Sequence, residues 1–192
     1  MHRRGVEQNT PTQVNINNYV PFYFSPATAM AFAIAKGRVN FKSPNGEDLG
    51  AGSNEQVVFY VCDPRRVHNM DLEYWFTNFA CNSGLVPNFT DNIELLESHI
   101  SWNLFDEDPR MGKLPEIGYD GTCSWFHDRD NPPRYQNRKK ERMAEFLVRD
   151  HFPIELIECI VTKNDNIRTQ VEQWITANGR NIDVYTKRGC FY

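Results

Sequence analysis

The chain has 192 residues, of which 40% are hydrophobic and 24% charged, and its formal net charge is −4 at pH 7. A chain of this length can bury the core of one domain, and no window approaches the roughly 18 apolar residues that a transmembrane helix needs. The net negative charge does not indicate a protein that binds nucleic acid over its whole surface. We therefore expect one domain over residues 1–192, soluble and cytoplasmic, with no membrane partner.

The first part of the chain changes from polar to strongly apolar. Residues 1–18 are rich in Asn, Gln and Thr and predict an irregular N-terminal arm. The aromatic and β-branched stretch YVPFYF, residues 19–24, predicts a strand that Ser25-Pro26 ends with a turn. Thr28 is a suitable N-cap for a short apolar helix over residues 28–36, which Gly37 ends.

The middle of the chain predicts a loop, two strands and one helix, in that order. Turn residues fill 42–54, whereas residues 56–63 and 75–80 have the composition of strands. Thr90 or Asp91 could cap a helix whose apolar residues recur at helical spacing. These apolar residues are Ile93, Leu96, Ile100 and Leu104. Residues 106–133 are irregular, and a loop of that length is more often functional than accidental.

The last part predicts a charged helix that turns into a strand over residues 138–148. A strand over 154–163, a helix over 167–179 and a final strand over 182–192 follow. The predicted apolar face of that helix consists of Ile167, Val171, Trp174 and Ile175. Without alternation of β and α elements, this order favours an α+β fold with a mixed or antiparallel sheet.

The five cysteines stand singly, with no C-x-x-C pair and no histidine at metal-ligand spacing. An odd and dispersed set argues against a disulfide framework and against a structural zinc site. We predict no bound metal and buried thiols in a reducing compartment at Cys62, Cys81, Cys123, Cys159 and Cys190.

One carboxylate interrupts an apolar stretch, since Glu145 lies within MAEFLV at residues 143–148. Strand alternation places Glu145 on the same face as Met143 and Leu147. Such a charge either points to solvent from an edge strand or lines a cleft, because an unpaired buried charge is very unfavourable. The residues alone favour the exposed edge.

A basic run precedes this strand on an otherwise acidic chain. It consists of Arg134, Arg138, Lys139, Lys140 and Arg142, with Arg129 further upstream. By itself such a run is typical of a solvated helix face.

The order of these motifs resembles the DarT-type family. YVPFYF with its Ser-Pro turn, QVVFYV, WFTNFA, a long loop, RKKERMAEFLV and a terminal aromatic pair follow one another between about Arg3 and Tyr192. Members of this family are toxins of toxin–antitoxin pairs that attach ADP-ribose from NAD to bases of DNA. The resemblance implies an ADP-ribosyltransferase fold with two small mixed or antiparallel sheets around an NAD cleft and short peripheral helices.

The resemblance also implies roles for particular residues. Glu145 would be the catalytic glutamate, because a fixed carboxylate can stabilise the positive charge that develops when the glycosidic bond of NAD breaks. One aromatic face of the first strand would build the core and the other would line the NAD site. The residues implied for NAD are Tyr23, Phe22, Ser25, Ala27 and Met30.

The resemblance places nucleic-acid recognition in the loop before Glu145, where cations would contact phosphates and aromatic rings would stack on unpaired bases. The residues implied for this role are Trp125, Arg134, Tyr135, Arg138, Lys139 and Arg142. Thr77 and Asn78 lie where the family carries a Thr-Asp/Asn element near the target base, so the resemblance also implies contacts with the nucleic acid for them. The implied partners are single-stranded DNA, with RNA left open, and an antitoxin of the macrodomain type that hydrolyses ADP-ribosyl bonds.

Two departures from the family pattern leave alternatives open. Ala27 occupies the position of a family arginine that helps to hold NAD, and alanine has neither charge nor donor. The chain also starts after the expected position of a family segment with a His-x-Thr element, for which His2 is not a substitute. The chain could therefore be an attenuated toxin, a divergent enzyme acting on guanine or RNA, or a module that only binds nucleic acid or a partner.

Overall fold

Short strands are interspersed with helices along the chain in a computed structural model, which describes residues 8–192. The strands are β1 (Tyr19–Tyr23), β2 (Asn40–Lys42), β3 (Asp48–Ala51), β4 (Phe59–Val61), β5 (Tyr74–Thr77), β6 (Phe89–Thr90), β7 (Arg110–Met111), β8 (Thr122–Cys123), β9 (Glu145–Arg149), β10 (Cys159–Thr162) and β11 (Asp183–Thr186). The α-helices are α1 (Ala29–Ala35), α2 (Pro64–Asn69), α3 (Leu96–His99), α4 (Arg138–Glu141) and α5 (Asp165–Ala177).

The chain divides into two compact units. Unit 1 contains the chain up to Ser25, Cys62–Glu107 and Phe126–Leu156. Unit 2 contains Pro26–Val61, Asp108–Trp125 and Ile157–Tyr192. The sequence-based prediction of one domain over residues 1–192 stays a prediction.

Unit 1 is built on an antiparallel sheet with the strand order β1-β9-β5-β6. Because side chains alternate along a strand, the sheet has two distinct faces. One face packs into the larger core of the unit through Phe22, Tyr74, Phe76, Phe146 and Val148. The other, which we call the Glu145 face, carries Tyr19, Tyr23, Trp75, Glu145 and Leu147. The YVPFYF strand therefore presents its aromatic rings to both sides of the sheet.

The prediction of one helix over residues 93–104 is correct for burial and wrong for continuity. The segment forms a 3-10 turn at Ile93–Leu95, then α3, then a second 3-10 turn at Trp102–Leu104. The Trp102 indole N–H donates to the Leu96 carbonyl, and its ring packs edge-on against Phe24. Asn92 caps the segment by accepting from the Glu94 N–H, so neither Thr90 nor Asp91 is the cap.

Residues 8–18 are more ordered than the predicted irregular arm. Asn9 and Asn15 form a β-bridge, and a 3-10 turn follows at Ile16–Asn18. Thr10 and Ile16 are buried. The arm prediction is wrong for these residues, and residues 1–7 lie outside the described part of the chain.

Unit 2 contains a three-stranded sheet with the order β11-β10-β4. Strands β10 and β11 are parallel and are joined by α5. The predicted order of strand, helix and strand is confirmed for this segment, which forms a β-α-β unit although no such alternation was expected. Val171 of α5 is buried, whereas Trp174 is 63% exposed. The prediction that Trp174 lies on the buried face is wrong, because the narrow sheet covers the neighbouring line of Ile167, Val171 and Ile175.

Two predicted loops contain strands. The 42–54 region includes much of the β2–β3 hairpin, and every residue of β3 is exposed. Without a buried face, the hairpin has no apolar alternation that a sequence pattern could show. Within 106–133, β7 pairs with β8 and the rest is mostly irregular, as predicted.

The five cysteines all lie within residues 8–192, where they form no disulfide, and the prediction of buried thiols is confirmed for all but the half-buried Cys62. Burial raises the pKa of the Cys159 and Cys190 thiols to about 11. Both are therefore protonated and unreactive at neutral pH. Among residues 8–192, no helix has the length and apolar composition to cross a membrane.

Candidate active site

Glu145 opens the central strand of the unit 1 sheet and is 1% exposed. The expectation of an exposed edge carboxylate is wrong, because β9 has β1 on one side and β5 on the other. A carboxylate in such a position requires hydrogen-bond donors, since burial without them is very unfavourable. The surroundings of Glu145 supply such donors.

The turn formed by residues 77–81, which follows β5, contacts Glu145 at both its backbone and its side chain. The Cys81 N–H donates to Glu145 Oε1 over 3.1 Å. The Glu145 N–H donates to Thr77 Oγ1 over 3.1 Å, and the Ala80 N–H donates to the Lys140 carbonyl over 3.1 Å. The 77–81 turn therefore fixes the carboxylate and the chain that leads to it.

On the other side of β9, Tyr23 is the direct partner of Glu145 in the antiparallel register. Directly opposed residues project to the same face, so the half-buried Tyr23 and the carboxylate share the Glu145 face. Phe22 projects to the opposite face and packs against Phe152, with ring centroids 4.7 Å apart. The structure therefore brings Tyr23, and not Phe22, together with Glu145.

The predicted NAD residues after β1 fall in both units. Ser25 is buried in unit 1, and its hydroxyl accepts from Arg142 Nη2 at 3.4 Å. In unit 2, Ala27 is 0% exposed, and Thr28 caps α1 by accepting from the Ala31 N–H. Met30 is half-buried in the first turn of α1. The predicted cap at Thr28 is confirmed.

The basic run before β9 divides into buried and exposed cations. Arg138 is 4% exposed and Arg142 is 0% exposed. Both guanidinium groups donate to the Leu104 carbonyl, at 3.2 and 3.1 Å. Arg138 also forms a 2.8 Å ion pair with Glu107, and Arg142 lies 4.6 Å from the centre of the Phe105 ring.

This burial overturns part of the nucleic-acid prediction. Arg138 and Arg142 cannot contact phosphates from the surface, because their guanidinium groups bond to the interior of unit 1. Thr77 is 0% exposed, and its hydroxyl bonds to the Glu145 N–H and to the Phe79 carbonyl. Asn78 is half-buried, and its Oδ1 accepts from the Asn88 N–H at 2.9 Å.

The other predicted nucleic-acid residues lie at or near the surface. Arg134 and Lys139 are exposed, and the Arg134 guanidinium stacks 4.9 Å from the centre of the half-buried Tyr135 ring. Trp125 is half-buried and belongs to unit 2.

Asp128 organises the loop that presents Arg134 and Tyr135. Its Oδ1 accepts from the Asp130 N–H over 2.9 Å, and its Oδ2 accepts from the Tyr135 N–H. These bonds, the one from Asp130 first, lower the pKa of the Asp128 carboxyl below its usual value. The loop over residues 128–135 is thus closed by one ionised side chain.

Sequence reasoning missed the supports of Glu145. The Cys81 contribution comes from its backbone N–H, which no side-chain pattern reveals. Thr77 was assigned to the nucleic acid through the resemblance to the family, and no sequence pattern reveals its long-range hydrogen bond to Glu145. Within residues 8–192 no cluster of His, Cys, Asp or Glu could hold a metal ion.

Comparison with known proteins supplies the family. The family model described as "ssDNA thymidine ADP-ribosyltransferase, DarT" matches residues 1–192, the whole chain. The chain belongs to the DarT family. A DNA ADP-ribosyl transferase of Escherichia coli O127:H6 is 25% identical over 179 residues, which cover 92% of this chain and 68% of that protein. Another, from Thermus sp. strain 2.9, is 26% identical and covers 81% and 59%, respectively.

Solved structures of a DarT protein have the same fold. The structure of Thermus sp. 2.9 DarT in complex with ADP-ribosylated ssDNA matches with a TM-score of 0.75 and 22% identity over 99% of this chain and 76% of that chain. The same protein in complex with NAD+ matches with a TM-score of 0.69, 22% identity and coverage of 95% and 77%. The predicted ADP-ribosyltransferase fold is confirmed. The sheets number four among the described residues, where two were expected.

The chain is shorter than the relatives it matches. It spans 68% of the E. coli DarT relative and 59% of the Thermus relative. The chain therefore has the family and the fold of these relatives, whereas the roles of its individual residues are proposals.

Proposed function

We propose that this chain transfers ADP-ribose from NAD to a base of single-stranded DNA, with Glu145 as the catalytic carboxylate. The observation that carries the proposal is the placement of Glu145, which is 1% exposed in a central strand and held by the Cys81 N–H at 3.1 Å. A fold that needed only stability would place an apolar residue there. The family to which the chain belongs supplies a reaction that requires a fixed carboxylate.

NAD supplies an ADP-ribosyl group attached to nicotinamide, a neutral leaving group once the glycosidic bond breaks. The electron pair of that bond goes to the nicotinamide nitrogen, and positive charge develops at the ribose. Glu145 stabilises this charge and accepts a hydrogen bond from a ribose hydroxyl, while a base nitrogen forms the new bond to the ribose carbon and gives up its proton to water. Because the carboxylate is fixed in advance, little reorganisation is needed at the moment of reaction.

The residues near Glu145 fit the ribose and nicotinamide end of NAD. Tyr23 shares the face of Glu145 and offers an aromatic ring to a planar group. Ser25 follows within two residues, and its hydroxyl is oriented by Arg142. Met30 and Ala27, which belong to unit 2, stay NAD contacts proposed from the resemblance, although Ala27 offers no charge to the phosphates.

The loop over residues 128–135, together with Lys139, is the proposed DNA-binding surface. Arg134 and Lys139 are exposed cations that would contact phosphates, and Tyr135 would stack on an unpaired base. Asn78 and Trp125 are further contacts proposed from the sequence. Thymidine is the proposed target nucleoside, because the description of the matching family names it.

The biological role of the chain follows from its proposed activity. We infer that the chain acts as the toxin of a toxin–antitoxin pair in the cytoplasm. A macrodomain-type hydrolase would be its antitoxin, because modified bases can be restored only by an enzyme that removes the ADP-ribose.

The test is incubation of the chain with labelled NAD and single-stranded oligonucleotides of defined base composition, with RNA of the same sequences in parallel. Glu145→Gln is the matched control, because it keeps the shape of the side chain and the acceptor for the Cys81 N–H. We expect label on thymidine-containing DNA and a loss of about 100-fold or more in the variant. Equal transfer by the variant would contradict the assignment of Glu145.

The remaining alternatives give different results in the same experiment. Transfer to guanine or to RNA would identify a divergent enzyme. Salt-sensitive oligonucleotide binding without transfer would identify a binding module.

A further inference from the structure

We propose that Thr77 is a positioning residue for Glu145, which sets the direction of the carboxylate without touching either substrate. The proposal rests on the function proposed above and changes the role of Thr77, which the resemblance to the family had placed near the target base. It depends on how strands β5 and β9 separate at the position of Glu145.

The ladder between β5 and β9 stops one residue before Glu145. Tyr74, Trp75 and Phe76 pair with Val148, Leu147 and Phe146, and the same register would next pair Thr77 with Glu145. That pair is absent from the ladder. On the other edge of β5, Thr77 still pairs with Phe89 of β6, so β5 continues for one residue beyond its ladder with β9.

The Thr77 side chain takes the place of the missing ladder bond. Its Oγ1 accepts from the Glu145 N–H over 3.1 Å and donates to the Phe79 carbonyl over 2.8 Å. The Glu145 carbonyl lies 3.4 Å from the same oxygen. A single hydroxyl therefore joins the start of β9 to the turn that follows β5.

This bridge sets the position of the carboxylate because the same turn also reaches the side chain. The Thr77–Phe79 bond shapes the chain that carries the Cys81 N–H, which donates to Glu145 Oε1 over 3.1 Å. Thr77 thus fixes the backbone of Glu145 directly and its carboxylate through the 77–81 turn. The Thr77 hydroxyl is 0% exposed and uses its one proton within the protein, in the bond to the Phe79 carbonyl, so its role lies in supporting Glu145.

The test compares Thr77→Val with Thr77→Ser in the full chain. Valine has the shape of threonine without the hydroxyl, whereas serine keeps the hydroxyl and loses only a methyl group. We expect Thr77→Val to lower kcat by about 10- to 100-fold, because small displacements of a catalytic group have effects of this size, with KM for NAD changed much less. Thr77→Ser should recover most of the rate.

Amide hydrogen exchange gives a readout that does not depend on catalysis. In Thr77→Val the Glu145 amide should exchange faster, while the amides of residues 146–148 keep their protection. If Thr77→Val does not fold, Thr77→Ala replaces it, since alanine leaves room for a water at the position of the hydroxyl. An unchanged kcat per folded molecule, or unchanged exchange at Glu145, would overturn the positioning role.

The two proposals fail in different ways. If the unmodified chain transfers no ADP-ribose, the proposed function fails, and hydrogen exchange alone decides the role of Thr77. If the chain transfers ADP-ribose in a Glu145-dependent manner and Thr77→Val does so at the same rate, only the role of Thr77 fails.

Discussion

Two pairs of cations from one short run behave in opposite ways. Arg138 and Arg142 are buried in unit 1 and share the Leu104 carbonyl, whereas Arg134 and Lys139 remain exposed. The buried pair lies four residues apart, with Arg138 at the start of α4 and Arg142 directly after its end, whereas Lys139 is the second residue of α4 and Arg134 lies in the loop before it. A basic run is therefore not one functional unit, because helix geometry assigns each residue separately to the interior or to the surface.

The largest expected effect is on the free energy of unfolding, which should depend on the buried cations and not on the exposed ones. Arg142→Met should lower the free energy of unfolding by about 3 kcal/mol, because it removes a buried charged group from a hydrogen-bond network. Lys139→Met is the matched control and should change the free energy by less than about 0.5 kcal/mol. Chemical denaturation of both variants measures the difference, and equal stabilities would contradict the distinction.

A second test asks whether another buried position of the chain accepts a guanidinium group. Ala27 is 0% exposed, so a long side chain there should lower the free energy of unfolding by about 1–3 kcal/mol through overpacking. Ala27→Arg and Ala27→Met have similar stems and differ in charge. We expect both to lower the melting temperature, the arginine variant more.

The opposite result for Ala27 would support the family pattern. If Ala27→Arg raised transfer activity while Ala27→Met did not, residue 27 would be a place where a cation assists NAD binding. The alanine at position 27 would then explain a low transfer activity of this chain.

The exposed pair should affect binding and leave stability unchanged. Arg134→Ala and Lys139→Ala should each weaken binding to single-stranded oligo(dT), and each should reduce the log–log slope of affinity against salt by about 0.7 for every phosphate that the variant no longer neutralises. Fluorescence anisotropy at several salt concentrations measures this slope. Arg168→Ala, on the exposed side of α5, is the control and should leave the slope unchanged.

The smallest expected effect concerns the loop that carries Arg134. The folded-state pKa of the Asp128 carboxyl is lowered. Its contribution to the stability of the loop is therefore fully present above its unfolded-state pKa of about 4 and is lost as pH falls through the folded-state value. Protection of the Tyr135 amide should therefore fall below about pH 4. Hydrogen exchange measures it, with circular dichroism to show that the fold persists. Asp128→Ala should lack this protection at neutral pH, and equal protection in the variant would contradict the role of Asp128.

Local signals allowed much of the fold to be predicted. The Thr28 cap, the strand at β1 and the change from α4 to β9 depend on residues that are neighbours in sequence. The α3 region was predicted as one helix because its burial pattern is helical, while the contact that interrupts it comes from the Trp102 indole. Local propensity does not contain such contacts.

The candidate site was predictable in its central residue only. Glu145 stood out as a charge within an apolar strand, and its burial followed once β9 proved to be central. The burial of Arg142 depends on Leu104, which is 38 residues away in sequence. The position of Thr77 depends on Glu145, which is 68 residues away. Contacts between residues so far apart in sequence are determined by the tertiary structure.

The way in which the chain builds its two units determines how the protein can be dissected. The chain passes from one unit to the other after each of five residues, which are Ser25, Val61, Glu107, Trp125 and Leu156. No single cut can release either unit as a continuous fragment, and a truncation after Val61, Glu107 or Trp125 removes strands or helices from both. Expression of an isolated half should therefore yield incomplete sheets, so binding and catalysis have to be separated by point substitutions in the intact chain.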